Sequence, residues 1–528
     1  MTAEEKKETA QEKKKSQGRR TFLKYAAGAV VVAAVGGAAY YAGMSSVPPP
    51  VSRTETVTMS ETVASTVAPP VTSPAAKQFE GMKLSFIGQS GPPADSVQAF
   101  ASVLKDKYGM DITVESVPWE VWWSKLTTEL ISGAAAYDFV YVDGAMVPPL
   151  VELNALQPID DLVERDKAEI PSLDQFSSLM VDYTTYGGKR YSWPYTSNFN
   201  ELWVRKDLVE DPKEQDNFEK QYGYPLSDFV KQPDWLKFND VIKFFHRPPD
   251  LYGYTQPMVW PQLTIPSWHT RWYACTGKPE VDEKYDPWWD RMGKYGILSV
   301  ELLKYQLKFM PPGVLNMDNP DAAAVFLQGK AAVMTGWDSF CLFQLMDPSV
   351  NKVYGKVLHL PPPGGPKGWA VYTNIGHSLG ITTIVKDPQR REACWTAIKT
   401  ITNPETEPWR VLDPHGGGQP PATKRGWELL MQQRPDAPIQ HISEYLTHSA
   451  SVAYGPFVGD MITAFQGIMA PAFAGQMTAD AALKALAQAY RKMYKPYTDK
   501  GMVNTHGLNV PPWPGEDFTD KLAKQIGM

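Results

Sequence analysis

From Met82 onward, apolar and polar positions change in regular blocks. Residues 83–87 form a short apolar run of strand type. Val97, Phe100, Ala101 and Leu104 share one helical face over residues 95–108. A second strand is predicted over 111–117, a helix over 120–132 and a third strand over 138–142. This βαβαβ order predicts a parallel, doubly wound sheet with right-handed crossovers. Ligands of such sheets sit beyond the carboxyl ends of the strands. Those ends fall at Gln89, Ser90 and Gly91, at Pro118 and Trp119, and at Asp143 and Gly144, and all three loops carry polar or aromatic groups suited to hydroxyl-rich ligands.

Before Met82 the pattern is different. Residues 13–24 read KKKSQGRRTFLK, with Arg19 and Arg20 directly ahead of Thr21 and Phe22, and resemble the twin-arginine signal of folded-protein export. Residues 25–43 follow as 19 uncharged positions rich in Ala, Val and Gly. As a helix they would reach about 28 Å, enough to span a bilayer, and the basic residues upstream fix the N-terminus inside. Gly37 and Ala39 suit a signal peptidase, whereas Tyr40 and Tyr41 beside them do not, so cleavage and retention as an anchor both stay open. Residues 47–76 are Pro-, Ser- and Thr-rich and cannot bury a core, so they read as an extended stalk. The organisation is therefore signal or anchor (1–46), stalk (47–76) and a domain from 77 to 528. The domain lies outside the cytoplasm, in the periplasm or on the outer face of the membrane.

A chain of 528 residues exceeds one ordinary core. The net charge of −6 hides a basic N-terminus: beyond residue 24 the balance is −10, which argues against nucleic acid as a partner. The 17 Trp and 25 Tyr exceed what a core needs and point to a ligand surface. Cys275, Cys341 and Cys394 allow one disulfide at most.

Two short motifs invite an enzyme reading. Gly376, His377, Ser378, Leu379 and Gly380 spell the G-x-S-x-G of a nucleophile elbow, and residues 415–418 read HGGG, like an oxyanion-hole strip. An elbow needs a helix directly after the serine, yet Leu379 to Val385 are β-branched and strand-like, and the strip follows the serine where that fold puts it before. A strand passing between lobes is the better reading, its glycines serving a hinge. His441, Glu444 and His448 share a helix face at near-ligand spacing, but no fourth metal ligand is evident. A secreted glycoside hydrolase or metal-dependent hydrolase stays as the alternative, since sequence spacing cannot test a carboxylate pair.

The run GGKRYSWPYTSNFNELWVRKDL at residues 187–208 resembles extracellular solute-binding proteins of ABC importers, the carbohydrate-type family 1 that includes maltose/trehalose-binding proteins. YDFVYVDG at 137–144 and AAVMTGWDSF at 331–340 resemble two further segments of that family in the same order. The resemblance implies an α/β, two-lobed periplasmic-binding-protein-like fold of type II, each lobe a doubly wound, mostly parallel sheet, joined by hinge crossings. It places crossings near 194–198, 372–379 and 430–440. Lobe one would hold about 79–195 and 376–432, lobe two about 199–372 and 440–500, with 501–528 a C-terminal extension. It further implies a monomer that closes on a sugar or oligosaccharide and delivers it to ABC permease subunits, with no catalytic residues, cofactor or metal.

Sugar sites stack aromatic rings on pyranose faces and bind hydroxyls with Asp, Asn and Gln. The candidates at strand ends and crossings are Gln89, Ser90, Trp119, Asp143 and Asn374 from lobe one, and Tyr195, Ser197 and Asn198 from the first crossing. Lobe two offers Trp337, Asp338, Tyr454 and Phe457. Trp260 and Trp268 are outer choices, His377 and Gly417 rim groups, and one of Trp122 and Trp123 should be core.

Overall fold

The computed structural model describes residues 77–132, 137–258, 261–282, 284–365, 372–373, 375–413, 415–450, 455–498 and 513–528. The signal, anchor and stalk expected over 1–76 lie outside the described residues, as do Trp260, Asn374 and Tyr454.

The described residues build two main sheets, beside two small two-stranded ones. The first is assembled from β1 (Lys83–Gln89), β2 (Asp111–Val117), β3 (Phe139–Val142) and β4 (Ser192–Thr196). The second takes β5 (Asn200–Arg205), β6 (Tyr252–Thr255), β7 (Ala331–Trp337) and β8 (Val357–Leu360). Then β9 (His377–Ile381) returns to the first, giving the orders β2-β1-β3-β9-β4 and β8-β5-β7-β6. β1 pairs parallel with β2 and β3, whereas β9 runs antiparallel to both β3 and β4. In the second sheet β6 and β7 are parallel, and β5 runs against β7 and β8. Each sheet thus holds one reversed strand, and it is the strand that has just crossed over from the other sheet. This gives an α/β molecule of two lobes, each on a mostly parallel sheet. All four residues of β3 are buried, which is why that segment reads as an unbroken apolar run.

Helices cover the faces. α1 (Pro92–Tyr108) follows β1, and α2 (Trp119–Ser132) follows β2. α1 starts three residues ahead of the sequence expectation, because Pro92 and Pro93 take its first positions, where proline's missing N–H costs nothing. In lobe two come α3 (Trp235–Phe244), α4 (Pro261–Thr276), α5 (Gly293–Leu307) and α6 (Asp338–Leu345), the last starting directly where β7 ends. Later in the chain come α7 (Pro388–Ile401), which packs on the first sheet, α8 (Lys424–Gln433), α9 (Val458–Phe473), α10 (Ala479–Thr498) and α11 (Glu516–Ile526).

The C-terminal helix is part of the packed body. Phe518 and Leu522 of α11 are buried. Asn239 Nδ2 donates to Gln525 Oε1 at 2.9 Å, and Gln525 Nε2 donates to Leu236 O at 2.9 Å. Ahead of α11, the Trp513 indole N–H donates to Cys275 O at 3.0 Å and the ring lies against Gly277, where a Cβ would stand 2.2 Å from Trp513 Cβ. Cys275, Cys341 and Cys394 are buried free thiols. No helix among the described residues is long and apolar enough to cross a membrane.

Candidate functional site

The geometry of the two sheets sets where a solute can sit. β1 ends at Gln89 and β3 at Val142, while β9, running the other way, begins at the same edge with His377. In lobe two, β7 ends at Trp337 and the reversed β5 begins at Asn200. Ser197, Asn198 and Phe199 join these two edges, so the carboxyl ends of the parallel strands meet at the crossing, the position at which open α/β sheets bind ligands.

A polar row runs along this edge. The Tyr141 hydroxyl donates to Gln89 Oε1 at 3.2 Å. Tyr141 stands edge-on to Trp122, with centroids 5.3 Å apart, and edge-on to His377 at 5.0 Å. His377 Nε2 lies 3.1 Å from Asn198 Nδ2, and Asn198 Oδ1 accepts from the Ser339 hydroxyl in the first turn of α6. Asn198 has φ 51°, the left-handed conformation that asparagine tolerates better than most residues. Burial pushes His377 down to about 3, so its ring is neutral. Asp338 clasps the crossing from the other side: its Oδ1 accepts from the N–H groups of Phe199 (3.0 Å) and Ser339 (2.7 Å), and its own N–H donates to Phe199 O at 2.9 Å.

Behind Asp338 lies a second buried carboxyl group. Glu201 has no exposed surface, and its Oε2 is 3.5 Å from His359 Nε2. His359 Nδ1 accepts from the backbone N–H of His441 at 3.1 Å, so the proton sits on Nε2 and faces Glu201. Burial holds both carboxyl groups well above the usual range, with repulsion from Asp338 adding to the rise at Glu201. Burial, then the nearby His441, holds His359 well below its usual value, so its ring does not supply a cation to balance the pair.

The residues chosen from sequence fall into distinct places. Gln89 and Asp143 are buried at the lobe-one edge. Ser90 is half-buried and its N–H donates to Val117 O, while Trp119 opens α2. The Tyr195 hydroxyl donates to Pro93 O at 3.2 Å and its ring lies under the Arg410 guanidinium at 5.0 Å. The Ser197 hydroxyl donates to Pro421 O at 2.8 Å. These two side chains hold the crossing in place. Trp337 is buried at the end of β7, and Phe457 packs on Tyr494 and Tyr497 at 4.6 and 5.6 Å. Trp268 is buried against Trp272 and Phe465. Of the tryptophan pair, Trp122 is core, while half-buried Trp123 reaches the first turn of α9: its Nε1 is 3.6 Å from where a Cβ on Gly459 would stand. Sequence reasoning did not select Tyr141, Ser339 or Arg410. Sheet register places Tyr141 at this edge, whereas Ser339 and Arg410 reach it from helices, through Asn198 and the Tyr195 ring.

The enzyme motifs resolve into packing. The strand runs through Ser378, whose hydroxyl donates to Val142 O at 3.4 Å, and the next helix of the chain is α7. Gly416, Gly417 and Gly418 fill a gap with no room for side chains: a Cβ on Gly417 would stand 2.3 Å from Ser96 N in α1, and one on Gly418 2.9 Å from the Phe343 ring in α6. The Ser96 hydroxyl donates to Gly416 O at 2.8 Å. His441 Nδ1 pairs with Glu444 Oε1 at 2.8 Å, and His448 Nδ1 with Glu444 O at 3.1 Å. Among the described residues, no group of three His, Cys, Asp or Glu side chains is set to hold a metal ion.

Two lobes that exchange strands at a polar crossing define a clamshell binding protein. Residues 90–407, more than half the chain, match the family of bacterial extracellular solute-binding proteins, and the chain belongs to that family. Its members are extracellular binding proteins, which agrees with a domain outside the cytoplasm. No curated protein matches the chain in sequence. Similar solved structures include an ABC transporter solute-binding protein from Agrobacterium radiobacter K84 in complex with ribitol (TM-score 0.64, 20% identity, 79% of this chain and 100% of that one). A maltose-bound MalE3 of T. maritima gives a TM-score of 0.65 at 19% identity, covering 78% and 100%. A sugar transporter protein from Arthrobacter chlorophenolicus A6 with bound laminaribiose gives 0.60 at 13% identity, covering 78% and 99%. These likenesses establish the two-lobed fold.

Proposed function

We propose that the protein captures a sugar, oligosaccharide or related polyol outside the cytoplasm and delivers it to the permease subunits of an ABC importer. The observation that carries this reading is the row of neutral amide, hydroxyl and imidazole groups (Gln89, Tyr141, His377 and Asn198) at the edge where the two sheets meet. Neutral donors and acceptors suit hydroxyl groups, and the bound ribitol, maltose and laminaribiose of similar folds support the same class.

In this reading the lobes are about 79–195 with 376–432, and about 199–372 with 440–500, working as a monomer. Gln89, Ser90, Trp119, Asp143, Asn198, Asn374, Trp337 and Tyr454 would form the ligand shell, with Tyr195, Ser197, Asp338 and Phe457 holding its frame. Export runs through the twin-arginine signal around Arg19 and Arg20, and residues 25–43 tether the domain if they are not cleaved. The reading gives Ser378 no nucleophilic role, and its hydroxyl donates to Val142 O within the sheet.

A thermal-shift screen against maltose, laminaribiose, ribitol and mannitol tests the function. A true ligand raises the melting temperature by mass action and is recovered unchanged. Cleavage of a glycoside, or no shift with any of the four, would count against it.

A further inference from the structure

We propose that His377 donates a hydrogen bond from its Nδ1–H to an oxygen of the bound solute, making it the floor of the site. The idea rests on the carbohydrate reading only for the kind of oxygen accepted.

The argument starts from the tautomer. The Ser339 hydroxyl donates to Asn198 Oδ1, so the other arm of that amide is NH2 and donates to His377 Nε2 at 3.1 Å. An imidazole nitrogen that accepts carries no proton, and burial keeps the ring neutral, so the single proton is on Nδ1. That nitrogen is buried and has no hydrogen-bond partner among the described residues. A buried donor without an acceptor is costly, and most native donors find one.

Position says what can supply the acceptor. His377 is the first residue of β9, the reversed strand that enters the first sheet at the same edge where β1 and β3 end. Its ring lies against Tyr141, whose hydroxyl is held by Gln89 at that edge. A solute resting on the crossing would bring its oxygen to this point, and a neutral donor there discriminates for hydroxyl, ether or carbonyl oxygen without adding charge.

The same bond would reach lobe two. From His377 the row continues through Asn198 to Ser339, so an acceptor at Nδ1 polarises a chain of hydrogen bonds ending in the first turn of α6.

Two measurements on the full-length protein decide the matter. In 15N spectra of histidine-labelled protein without ligand, His377 should be the Nδ1–H tautomer, and the Nε2–H tautomer would overturn the proposal whatever the solute is. Among maltose, laminaribiose and ribitol, whichever stabilises the parent should bind His377→Phe at least about tenfold more weakly by calorimetry. His377→Gln, which offers an acceptor to Asn198 and a donor to the solute, should recover part of that loss. Equal affinity of the parent and His377→Phe would refute the assignment. If none of the three sugars binds the parent, the carbohydrate reading fails and the tautomer result alone decides for or against His377.

Discussion

Asn198 Nδ2 lies 3.1 Å from His377 Nε2, which ties the first crossing to the strand that returns over the second. Both residues are buried, and Asn198 reaches the other lobe through the hydroxyl of Ser339. One side chain in a left-handed backbone conformation therefore fastens two crossings and α6 together.

Replacing Asn198 by Ala removes both bonds and places a β-carbon residue with no compensating side chain at φ 51°. The buried ring of His377 loses its donor and Ser339 its acceptor. The variant should be destabilised by about 2–4 kcal/mol in urea unfolding. Asn198→Gly, which keeps the backbone conformation accessible, should lose less. Equal losses would mean that the backbone conformation contributes nothing.

The pair Glu201 and Asp338 makes a pH prediction with a definite sign. Both carboxyl groups are held above their ordinary values by burial, so the folded state keeps protons that the unfolded state has released. Stability from this pair is fully present below the ordinary carboxylate range and is lost as pH rises above it toward the raised folded values. Among the described residues Asp338 accepts two N–H bonds and Glu201 none, so of the two Glu201 holds its proton the more firmly. Glu201→Gln should flatten the fall in stability between pH 5 and 8 and be the more stable protein at pH 8, by about 1–3 kcal/mol. Parallel profiles for the two proteins would show that Glu201 is ionised when folded.

Much of lobe one was legible because its signals are local. The strand of 111–117 and the third strand, ending at Val142, follow the apolar pattern, and the β-branched run after Ser378 correctly argued against a nucleophile elbow. The reversed β9 was not legible, since nothing in HSLGI states which neighbours it will pair with or in which direction. Side-chain partners at the crossing were equally hidden. Tyr195 and Ser197 sit at the crossing as their positions imply, yet their hydroxyls are taken by Pro93 and Pro421, carbonyl partners 102 and 224 residues away in sequence. The HGGG strip looked chemical because glycines that make room for an oxyanion and glycines that let two helices approach leave the same letters.

Location is tested at the N-terminus. The twin-arginine reading requires the guanidinium pair, so Arg19→Lys with Arg20→Lys should leave the full-length protein in the cytoplasm while charge is conserved. Fractionation and immunodetection measure this directly. Normal export of the double variant would mean that another route is used.

The last expectation concerns closure. Trp123 belongs to α2, which follows β2 of the first sheet, whereas Gly459 lies in the first turn of α9, later in the chain, and the indole nitrogen approaches where a Cβ on that glycine would be. The ring thus stands at ordinary contact distance from α9 and bridges a helix of lobe one to a helix of lobe two. A solute that contacts both lobes stabilises the state in which this approach is made, because the open state offers only half the contacts. Trp123→Ala removes a contact of the closed state without touching the buried Trp122. It should weaken solute binding by about 1–2 kcal/mol, roughly five- to thirtyfold, with little change in unfolding free energy measured without ligand. Gly459→Val should do the same from the opposite side by obstructing the ring. Solution scattering of the parent should show a smaller radius of gyration on saturation, and the two variants should need more solute to reach it. A radius that does not change with saturating ligand would rule out the clamshell motion, and unchanged affinity in both variants would place the closing contact elsewhere.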